Sequence, residues 1–243
     1  MSLILGGAGY IGENLVRKVE DPIIYDIKRR CDILDYRQLC DSMKDASVCY
    51  HLAAISGRHA CSDKPNLAMR TNVEGTHNVL RAAQKFGVKV VFTSSIAAVS
   101  LADYYGYTKK IGELLCEYFE AIICRCSNVY GGYRYLDKKN TVISKFVKND
   151  VLTIHGEGLQ LRDFVHVDDV TDCLIKASQH EKGIYNICSG EMTSIIDLAK
   201  LILSLKGKGD IVYEERETVN SPRITPSFKT KINLGMGLKK LIL

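Results

Sequence analysis

The chain has 243 residues, of which 46% are hydrophobic and 25% are charged, so it can fold as one large α/β domain or as a main domain with a small appendage. Its net charge of +5 comes without the interleaved basic and aromatic residues of a nucleic-acid surface, so we expect no nucleic-acid partner. An apolar run of about 18 residues is missing, so we expect no membrane span. The apolar start MSLILGGAG lacks the basic leader of a signal peptide, so we expect a cytoplasmic protein.

Short apolar runs rich in β-branched residues alternate with helical patterns along the chain. The runs that predict strands are residues 3–5, 23–25, 48–51, 88–93 and 122–126, and the patterns that predict helices are 11–19, 73–86 and 109–119. Continuous apolar strands that alternate with helices are typical of a parallel sheet covered on both faces, which is a doubly wound α/β fold. After Gly131, GGYRYLDKKN predicts a loop, and VLTIH and DIVYE predict short strands of a smaller lobe.

The first strand runs into a glycine motif, LILGGAGYIGENL, with Gly6, Gly9 and Gly12. Such glycines permit a tight turn and close backbone approach, and the start of the next helix offers free N–H groups to a pyrophosphate. Asp26 ends the next strand, where a carboxylate can accept hydrogen bonds from an adenosine ribose and repel a 2′-phosphate. The pattern predicts NAD in preference to NADP, although Lys28 and the two arginines after it could reverse that preference. A glycine turn without a ligand is the alternative.

Further residues are assigned to the same cofactor. CDILD (31–35) offers a backbone stretch that could meet an adenine edge, whereas Asp35 could equally cap the following helix. HLAA (51–54) ends the third strong strand with small residues, as a strand that lies beside a cofactor requires. Beyond the glycines and Asp26, the predicted cofactor-binding residues are Tyr10, Ile11, Asp32, Ile33, Leu52, Ala53 and Ala54.

The stretch YYGYTKK (104–110) contains a candidate acid/base pair. Tyr105 and Lys109 are four residues apart and therefore share one face of a helix. A tyrosine is a useful base only when its pKa is lowered toward neutrality, and a nearby ammonium does this by favouring the phenolate. Ser95, in FTSS (92–95) at the end of a sheet strand, could offer a hydroxyl to the same reacting oxygen. Together with the glycine motif, these residues predict an enzyme, and an ordinary surface helix is the alternative.

Cysteine usage predicts no metal site and no disulfide. The nine cysteines include no C-x-x-C pair, and Cys124 and Cys126 flank Arg125 inside an apolar run that is typical of a strand. We expect reduced cysteines that behave mostly as small buried hydrophobic residues.

With these residues identified, the chain resembles the extended short-chain dehydrogenases/reductases, specifically the branch of nucleotide-sugar epimerases and dehydratases. The segments that carry the resemblance run nearly end to end: GGAGYIG, YDI, DILD, HLAA, TNVEGTHNVL, FTSS, YGYTKKIGE, RCSNVYG, GEGLQLRDFVHVDDV, GIYNICSGE and FKTKINLG. The resemblance implies a Rossmann-type fold, NAD as the cofactor, a nucleotide-sugar substrate and a homodimer formed through the two long helices. Burial of those helices against the sheet is the alternative.

The same resemblance implies a division of the chain. Residues 1–130, with a returning segment near 164–188, would form the dinucleotide-binding Rossmann domain. Residues 131–163 and 189–243 would form a smaller lobe that binds the sugar nucleotide.

The resemblance also implies catalytic roles. Tyr105 would be the acid/base, Lys109 would lower its pKa and bind the nicotinamide ribose, and Ser95 would hydrogen-bond the substrate hydroxyl. The implied reaction is oxidation of one sugar carbon, in which Tyr105 takes the hydroxyl proton while hydride passes to NAD+. Return of the hydride to the other face of the keto-sugar then inverts the centre.

Asn128 and Arg162 match positions that bind the sugar nucleotide in the family, Arg162 at the diphosphate, where planar donors pair with phosphate oxygens. The alternatives are a loop cap for Asn128 and an ion pair with Asp163 or Asp168 for Arg162. Two further polar residues are interpreted as structural, Asn72 and His166.

One departure from the family's pattern bears on the reaction. The family's dehydratases carry an acidic pair just beyond the strand-end serine or threonine, where this chain has Ile96 and Ala97, so dehydration is disfavoured. An epimerase that resembles UDP-glucose 4-epimerase is the leading interpretation. The alternatives are a net oxidoreductase acting on a keto-sugar or another carbonyl, and a non-catalytic dinucleotide-binding sensor.

Three segments are shorter than in the family's pattern. Only five residues separate Asp26 from Asp32, so we expect the family's third strand to be absent or vestigial. Only nine residues separate Ser95 from Tyr105, where relatives usually carry a long loop over the sugar, and the stretch between residues 113 and 125 is shortened too. We expect a more open site, which admits water and holds the sugar less firmly.

Overall fold

The computed structural model describes residues 1–139 and 141–243. Its strands are β1 Ser2–Leu5, β2 Ile23–Tyr25, β3 Val48–His51, β4 Lys89–Ser95, β5 Ile122–Cys126, β6 Asn128–Tyr130, β7 Val151–His155, β8 Leu161–His166, β9 Gly183–Ile187, β10 Met192–Ser194 and β11 Asp210–Glu214. Six of them form a parallel sheet in the order β2-β1-β3-β4-β5-β9. This arrangement confirms the predicted Rossmann-type α/β fold.

Helices cover both faces of the sheet. They are α1 Tyr10–Val16, α2 Tyr36–Met43, α3 Arg58–Asp63, α4 Pro65–Met69, α5 Gly75–Phe86, α6 Ala97–Ser100, α7 Tyr104–Tyr118, α8 Tyr135–Lys138, α9 Val142–Lys148, α10 Val167–Ala177, α11 Ile195–Lys206 and α12 Leu234–Ile242. Because side chains alternate along a strand, Leu3 and Leu5 pack with α2, α5 and α7, whereas Ile4 packs with α1 and α10. The carboxyl ends of the strands therefore meet at one edge between two helical layers.

The sheet ends at β2, as the short spacing after Asp26 predicts. Between Asp26 and Asp32 the backbone forms a single 3-10 turn, Ile27–Arg29, and the Asp26 side chain accepts a hydrogen bond from the N–H of Lys28. A turn of this length returns the chain directly to α2, which leaves no room for another strand.

Two predicted helices differ from the structure at their starts. The helix predicted over 109–119 already begins at Tyr104, because the Asp103 carboxylate caps it by accepting a hydrogen bond from the N–H of Gly106 at 2.9 Å. The helix predicted over 73–86 begins at Gly75, and a π-helical turn, Arg70–Glu74, joins it to α4. Both differences arise from caps and bulges that apolar periodicity does not show.

The remaining strands form two small sheets, β10-β8-β6 and β11-β7. The predicted strands VLTIH and DIVYE pair in parallel as β7 and β11. The segment predicted as a loop after Gly131 contains the short helix α8, and its last residue, Asn140, lies outside the described residues. The predicted division of the chain at residue 130 stays a prediction; β6 pairs with β8 in a small sheet, and β9 joins the large one.

The nine cysteines are free thiols, and eight of them are buried. On β5, Cys124 and Cys126 face the α10 layer, whereas the intervening Arg125 faces α7. Within residues 1–139 and 141–243, we find no helix both long and apolar enough to cross a bilayer.

Candidate active site

The loop between β1 and α1 brings backbone from neighbouring strands into close contact. Gly6 has a φ of +81°, and a Cβ on it would lie 2.7 Å from the backbone nitrogen of Ala53, just beyond β3. A Cβ on Gly12 would overlap the carbonyl oxygen of Gly6. Only glycine fits at these two positions, and the resulting cradle fits the close backbone approach that a dinucleotide pyrophosphate requires.

Asp26 ties this cradle to the end of β2. Its Oδ2 accepts a hydrogen bond from the N–H of Ala8 at 2.9 Å, and its Oδ1 accepts one from the N–H of Lys28 at 2.9 Å. Asp26 also lines a cavity of about 410 Å³ together with other residues predicted to hold the cofactor, namely Asp32, Ile33, Leu52, Ala53 and Ala54. The size and position of this cavity suit the adenosine half of a dinucleotide.

A second cavity, of about 510 Å³, runs from the glycine cradle to α7. At one end it is lined by Gly6, Gly9, Tyr10, Ile11, Gly12, Leu52 and Ala54, and at the other by Ser95, Tyr105, Lys109 and Asn128. Segments far apart in sequence therefore line the same cavity. Each of them either follows the carboxyl end of a sheet strand or lies on α7, opposite those strand ends.

Tyr105 lies at the far end of this cavity and also lines a third cavity, described below. Burial raises the pKa of Tyr105 to about 12, and side-chain hydrogen bonds from Ser56 and Ser95 oppose the rise. The predicted lowering of this pKa by Lys109 is therefore wrong for the protein's own groups. Removal of the phenol from water disfavours the phenolate more than its neighbours stabilise it.

Lys109 lies one helical turn beyond Tyr105 and is buried. Its Nζ donates a hydrogen bond to the carbonyl oxygen of Thr93 at 2.8 Å and lies 4.7 Å from the ring centroid of Phe92. Burial lowers the pKa of Lys109 to about 8. The ammonium is thus anchored to the backbone of β4, two residues before Ser95, rather than paired with a carboxylate.

Two serines of the site were not predicted. Ser56 hydrogen-bonds to Tyr105 and comes two residues after Ala54, and Ser127 follows β5 directly and lines the same cavity. Both serines lie just beyond the ends of predicted strands, and this position in the sequence could have identified them as residues of the site. Neither belongs to the predicted tyrosine–lysine–serine set.

A third cavity, also of about 510 Å³, shares Tyr105 with the second. It is lined by Ser95, Asn128 and Arg162 and by a segment without helix or strand, residues 216–222. Asn128 Nδ2 donates a hydrogen bond to the carbonyl oxygen of Asp163 at 2.9 Å. This bond sets the orientation of the amide and leaves its Oδ1 available to a ligand.

Arg162 does not form the ion pair with Asp163 or Asp168 that was the alternative to ligand binding. Its Nη1 donates to the carbonyl oxygen of Leu161 at 2.8 Å. Burial, and then the positive charge of Arg58, lower the pKa of Arg162. A guanidinium held in this way favours an anionic ligand.

The charges around the third cavity are unequal. Its described lining contains four cationic side chains, Arg58, Lys145, Arg162 and Arg216, and two carboxylates, Asp103 and Glu217. Asp103 is already occupied, because it caps α7 and pairs with Arg58 at 3.2 Å. The cavity therefore presents a net positive field to a ligand.

Other predicted residues have structural contacts. Asn72 is buried and exchanges hydrogen bonds with the backbone of Ile55. The His166 side chain caps α10 by accepting from the N–H of Asp168 at 3.2 Å. Asp35 caps α2, which is the alternative considered for it.

Comparisons with known proteins agree with this geometry. Residues 2–188 match the model of the NAD dependent epimerase/dehydratase family. A putative UDP-glucose 4-epimerase of Methanocaldococcus jannaschii is 30% identical over an alignment of 297 residues, which covers 100% of this chain and 97% of the relative. This alignment is longer than the chain, so the relative has segments with no counterpart here.

Two further comparisons show the spread of the relatives. A UDP-N-acetyl-alpha-D-glucosaminuronate decarboxylase of Bacillus cytotoxicus is 29% identical over 254 residues, covering 84% of this chain and 79% of the relative. The structure of UDP-glucose 4-epimerase from Thermotoga maritima with UDP-glucose superposes with a TM-score of 0.90 at 23% identity, covering 99% of this chain and 97% of that one. At this identity, the structural likeness shows the fold alone.

Proposed function

Because the chain belongs to the NAD dependent epimerase/dehydratase family, we propose that it is an epimerase that inverts one hydroxyl-bearing carbon of a nucleoside-diphosphate sugar, with UDP-glucose and UDP-galactose as the expected pair. The observation that carries the proposal is the position of Tyr105, which lines both the cavity that begins at the glycine cradle and the cavity that contains Arg162. A phenol between a dinucleotide and a sugar is in the right place to move a proton while hydride moves beside it.

The family is NAD-dependent, in agreement with the glycine motif. The residues that we assign to NAD line the first two cavities: Gly6, Gly9, Tyr10, Ile11, Gly12, Asp26, Asp32, Ile33, Leu52, Ala53, Ala54 and Lys109. Bound NAD+ supplies the hydride acceptor and a positive charge that favours the phenolate.

In this proposal, Tyr105 accepts the proton of the sugar hydroxyl and later returns it. Ser95 holds the same hydroxyl, since it lines both cavities together with Tyr105. Lys109 binds the nicotinamide ribose and keeps a positive charge beside the phenol. Because burial raises the pKa of Tyr105 to about 12, the phenol keeps its proton at neutral pH until further positive charge comes near.

The third cavity holds the sugar nucleotide. Arg162 would pair with the diphosphate as a planar fork, and Asn128 would accept a hydrogen bond at its free Oδ1. The net positive lining attracts the doubly charged diphosphate and leaves the sugar end directed toward Tyr105.

The lining of these cavities supports epimerisation over dehydration. Removal of water from a sugar needs an acid close to Tyr105, and the positions just beyond Ser95 hold Ile96 and Ala97. Of the two described carboxylates in the third cavity, Asp103 is engaged with the α7 backbone and Arg58, and Glu217 belongs to the segment at residues 216–222. In this proposal the proton chemistry falls to Tyr105.

Product mass tests the proposal directly. Purified protein with added NAD would be incubated with UDP-glucose, UDP-galactose, UDP-glucuronate and dTDP-glucose, and the products analysed by chromatography and mass spectrometry. We expect a new isomer of unchanged mass and no accumulation of NADH. Loss of carbon dioxide would identify a decarboxylase, loss of water a dehydratase, and stoichiometric NADH a net oxidoreductase. Dinucleotide binding without any product would leave the sensor hypothesis.

We also propose that the enzyme is a homodimer formed through α7. Tyr107, Leu114 and Tyr118 lie on one stripe of this helix and are exposed, on the side away from Tyr105 and Lys109. Exposed apolar side chains in a row on a long helix fit a second copy of the same helix. Leu114→Glu should convert the dimer to a monomer in sedimentation, and an unchanged sedimentation coefficient would rule out this interface.

A further inference from the structure

Glu113 is a fully buried carboxylate for which the proposed reaction has no direct use. It lies on α7 one turn beyond Lys109 and two turns beyond Tyr105, so the three side chains follow one face of the helix. A buried carboxylate is destabilising unless it is paired and hydrogen-bonded. Its partners therefore indicate what it contributes.

Glu113 has hydrogen-bond partners on two adjacent strands, and on its own helix Lys110 Nζ lies 3.7 Å from Oε2. Ser94 Oγ on β4 donates to Oε1 at 2.6 Å, and Arg125 on β5 donates from Nε to Oε1 at 2.8 Å and from Nη2 to Oε2 at 2.7 Å. Ser94 and Arg125 are direct partners in the β4–β5 register. Glu113 therefore joins α7 to both strands at the position just before Ser95.

Two glycines that precede Glu113 on α7 bring the helix close to its surroundings. A Cβ on Gly112 would lie 2.8 Å from the ring of Phe92 on β4, and a Cβ on Gly106 would lie 2.5 Å from the carbonyl oxygen of Ala97. The helix is therefore at contact distance at Gly106, next to Tyr105, and at Gly112, next to Glu113, so a shift at Glu113 is transmitted toward Tyr105.

We propose that Glu113, paired with Arg125, is a positioning residue for the Tyr105–Lys109 pair: it fixes the position of α7 along β4 and supplies a negative charge on the face of Lys109. This inference rests on the proposed function of the pair and adds to it a residue that touches neither cofactor nor sugar.

The charge argument follows from the groups around Lys109. The titratable groups that act on the ammonium are His51 on β3, Cys61 on α3, Cys126 on β5, and Glu113 and Cys116 on α7, and Tyr105 lines the same cavity as Lys109. Burial lowers the pKa of His51 to about 3 and raises the pKa values of the three cysteines and of Tyr105, so all five are neutral near pH 7. Burial also acts to raise the pKa of Glu113, but the bonds from Arg125 and Ser94 outweigh it, and the net pKa is lowered. Glu113 is thus ionised and opposes the loss of the Lys109 proton.

Three variants separate position from charge. Glu113→Gln removes the charge and leaves the guanidinium of Arg125 unpaired, which disfavours the ammonium. Glu113→Asp keeps the charge but shortens the link by one methylene. Arg125→Met breaks the same ion pair without leaving a positive charge near Lys109. Glu117→Gln, at an exposed position one turn farther along α7, is the matched control.

The readouts are kcat, KM and the pH profile of kcat, with thermal unfolding to verify that each variant folds. For Glu113→Gln we expect about a tenfold lower kcat, an unchanged KM and a high-pH limb moved down by about one pH unit, because an opposite charge has been lost near the ammonium. Glu113→Asp should lower kcat and leave the high-pH limb of the kcat profile at the wild-type position. Arg125→Met should also lower kcat, and its high-pH limb should not move to lower pH. If Glu113→Gln and Arg125→Met lowered kcat equally and had the same high-pH limb, Glu113 would have a purely structural role. That result would overturn the proposal.

A direct measurement separates this inference from the proposed function. The pKa of Lys109 can be followed in the free protein through the Cε resonance of labelled lysine, assigned with Lys109→Met. If the wild-type chain converts no nucleotide sugar, the proposed function fails, but a lower Lys109 pKa in Glu113→Gln than in Glu117→Gln still supports the electrostatic role. An unchanged Lys109 pKa overturns that role whatever the enzyme activity.

Discussion

Two buried carboxylates organise the two sides of the proposed site, and they are satisfied in opposite ways. Glu113, on the side of the glycine cradle, pairs with the guanidinium of Arg125. Asp163, on the side of the third cavity, accepts from four neutral donors among the described residues: Ser127 Oγ at 2.6 Å, Ser189 N at 2.9 Å, Ser189 Oγ at 3.0 Å and Gly190 N at 2.7 Å. Glu113 is therefore neutralised by an ion pair, whereas Asp163 is stabilised by a network of neutral hydrogen-bond donors.

This difference indicates which side of the site depends on a single carboxylate for its structure. Glu113 joins a helix to strands that also share a large apolar core, so several contacts hold the chemistry in place. Asp163 joins the start of β6 to the turn before β10, where the chain is irregular and the neighbouring wall of the cavity is a segment without helix or strand. Substitutions on the catalytic side should therefore lower kcat and leave the stability of the fold unchanged. Substitution of Asp163 on the binding side should instead lower the free energy of unfolding.

The largest expected effect belongs to the catalytic side. Tyr105→Phe removes the proton acceptor without changing the shape of either cavity, and general acid–base groups of this kind contribute about a thousandfold to the rate. We expect kcat to fall by that factor while the unfolding temperature and the affinity for UDP stay unchanged, as measured by turnover, calorimetry and thermal unfolding. Full activity in this variant would show that another group moves the proton.

The next largest effect tests the binding side. Asp163→Asn places an amide N–H₂ opposite N–H and O–H donors, so buried donors are left unsatisfied at a cost of about 3 kcal/mol in the free energy of unfolding. Chemical denaturation would measure the loss, with Asp45→Asn on the exposed surface as the control. If both variants had the same stability, the network around Asp163 would not hold the cavity wall.

The third effect is confined to substrate affinity. Arg162→Met removes a charge-assisted bond to the diphosphate that contributes about 2 kcal/mol, which corresponds to about a 30-fold higher KM. Since Arg162 forms no ion pair with the described carboxylates, stability and kcat should change little. A lower kcat at unchanged KM would place Arg162 in the chemistry instead and would erase the contrast between the two sides.

The sequence was sufficient for the parts of this comparison that follow local rules. The alternation of strands and helices, the glycine cradle, the shortened turn after Asp26 and the shared face of Tyr105 and Lys109 all follow from spacing and periodicity. Ser56, Arg58 and the wall at residues 216–222 did not, because only tertiary packing brings them to Tyr105 and Arg162. The direction of the Tyr105 pKa was also missed, since desolvation depends on burial and a four-residue spacing does not report it.

The smallest effect concerns Ser56, one of the two hydroxyls that hold the phenol. Its hydrogen bond lowers the pKa of Tyr105 against the larger effect of burial, so Ser56→Ala should raise that pKa further. Because a proton acceptor must first be deprotonated, the rising limb of the kcat profile should move to higher pH, and kcat near neutrality should fall by about tenfold for each unit of displacement. Ser100→Ala, on the exposed end of α6, controls for loss of a hydroxyl near the site. If the rising limb stayed at the same pH in Ser56→Ala, Ser95 alone would lower the pKa of Tyr105. The catalytic side would then depend on a single hydroxyl, as the binding side depends on Asp163.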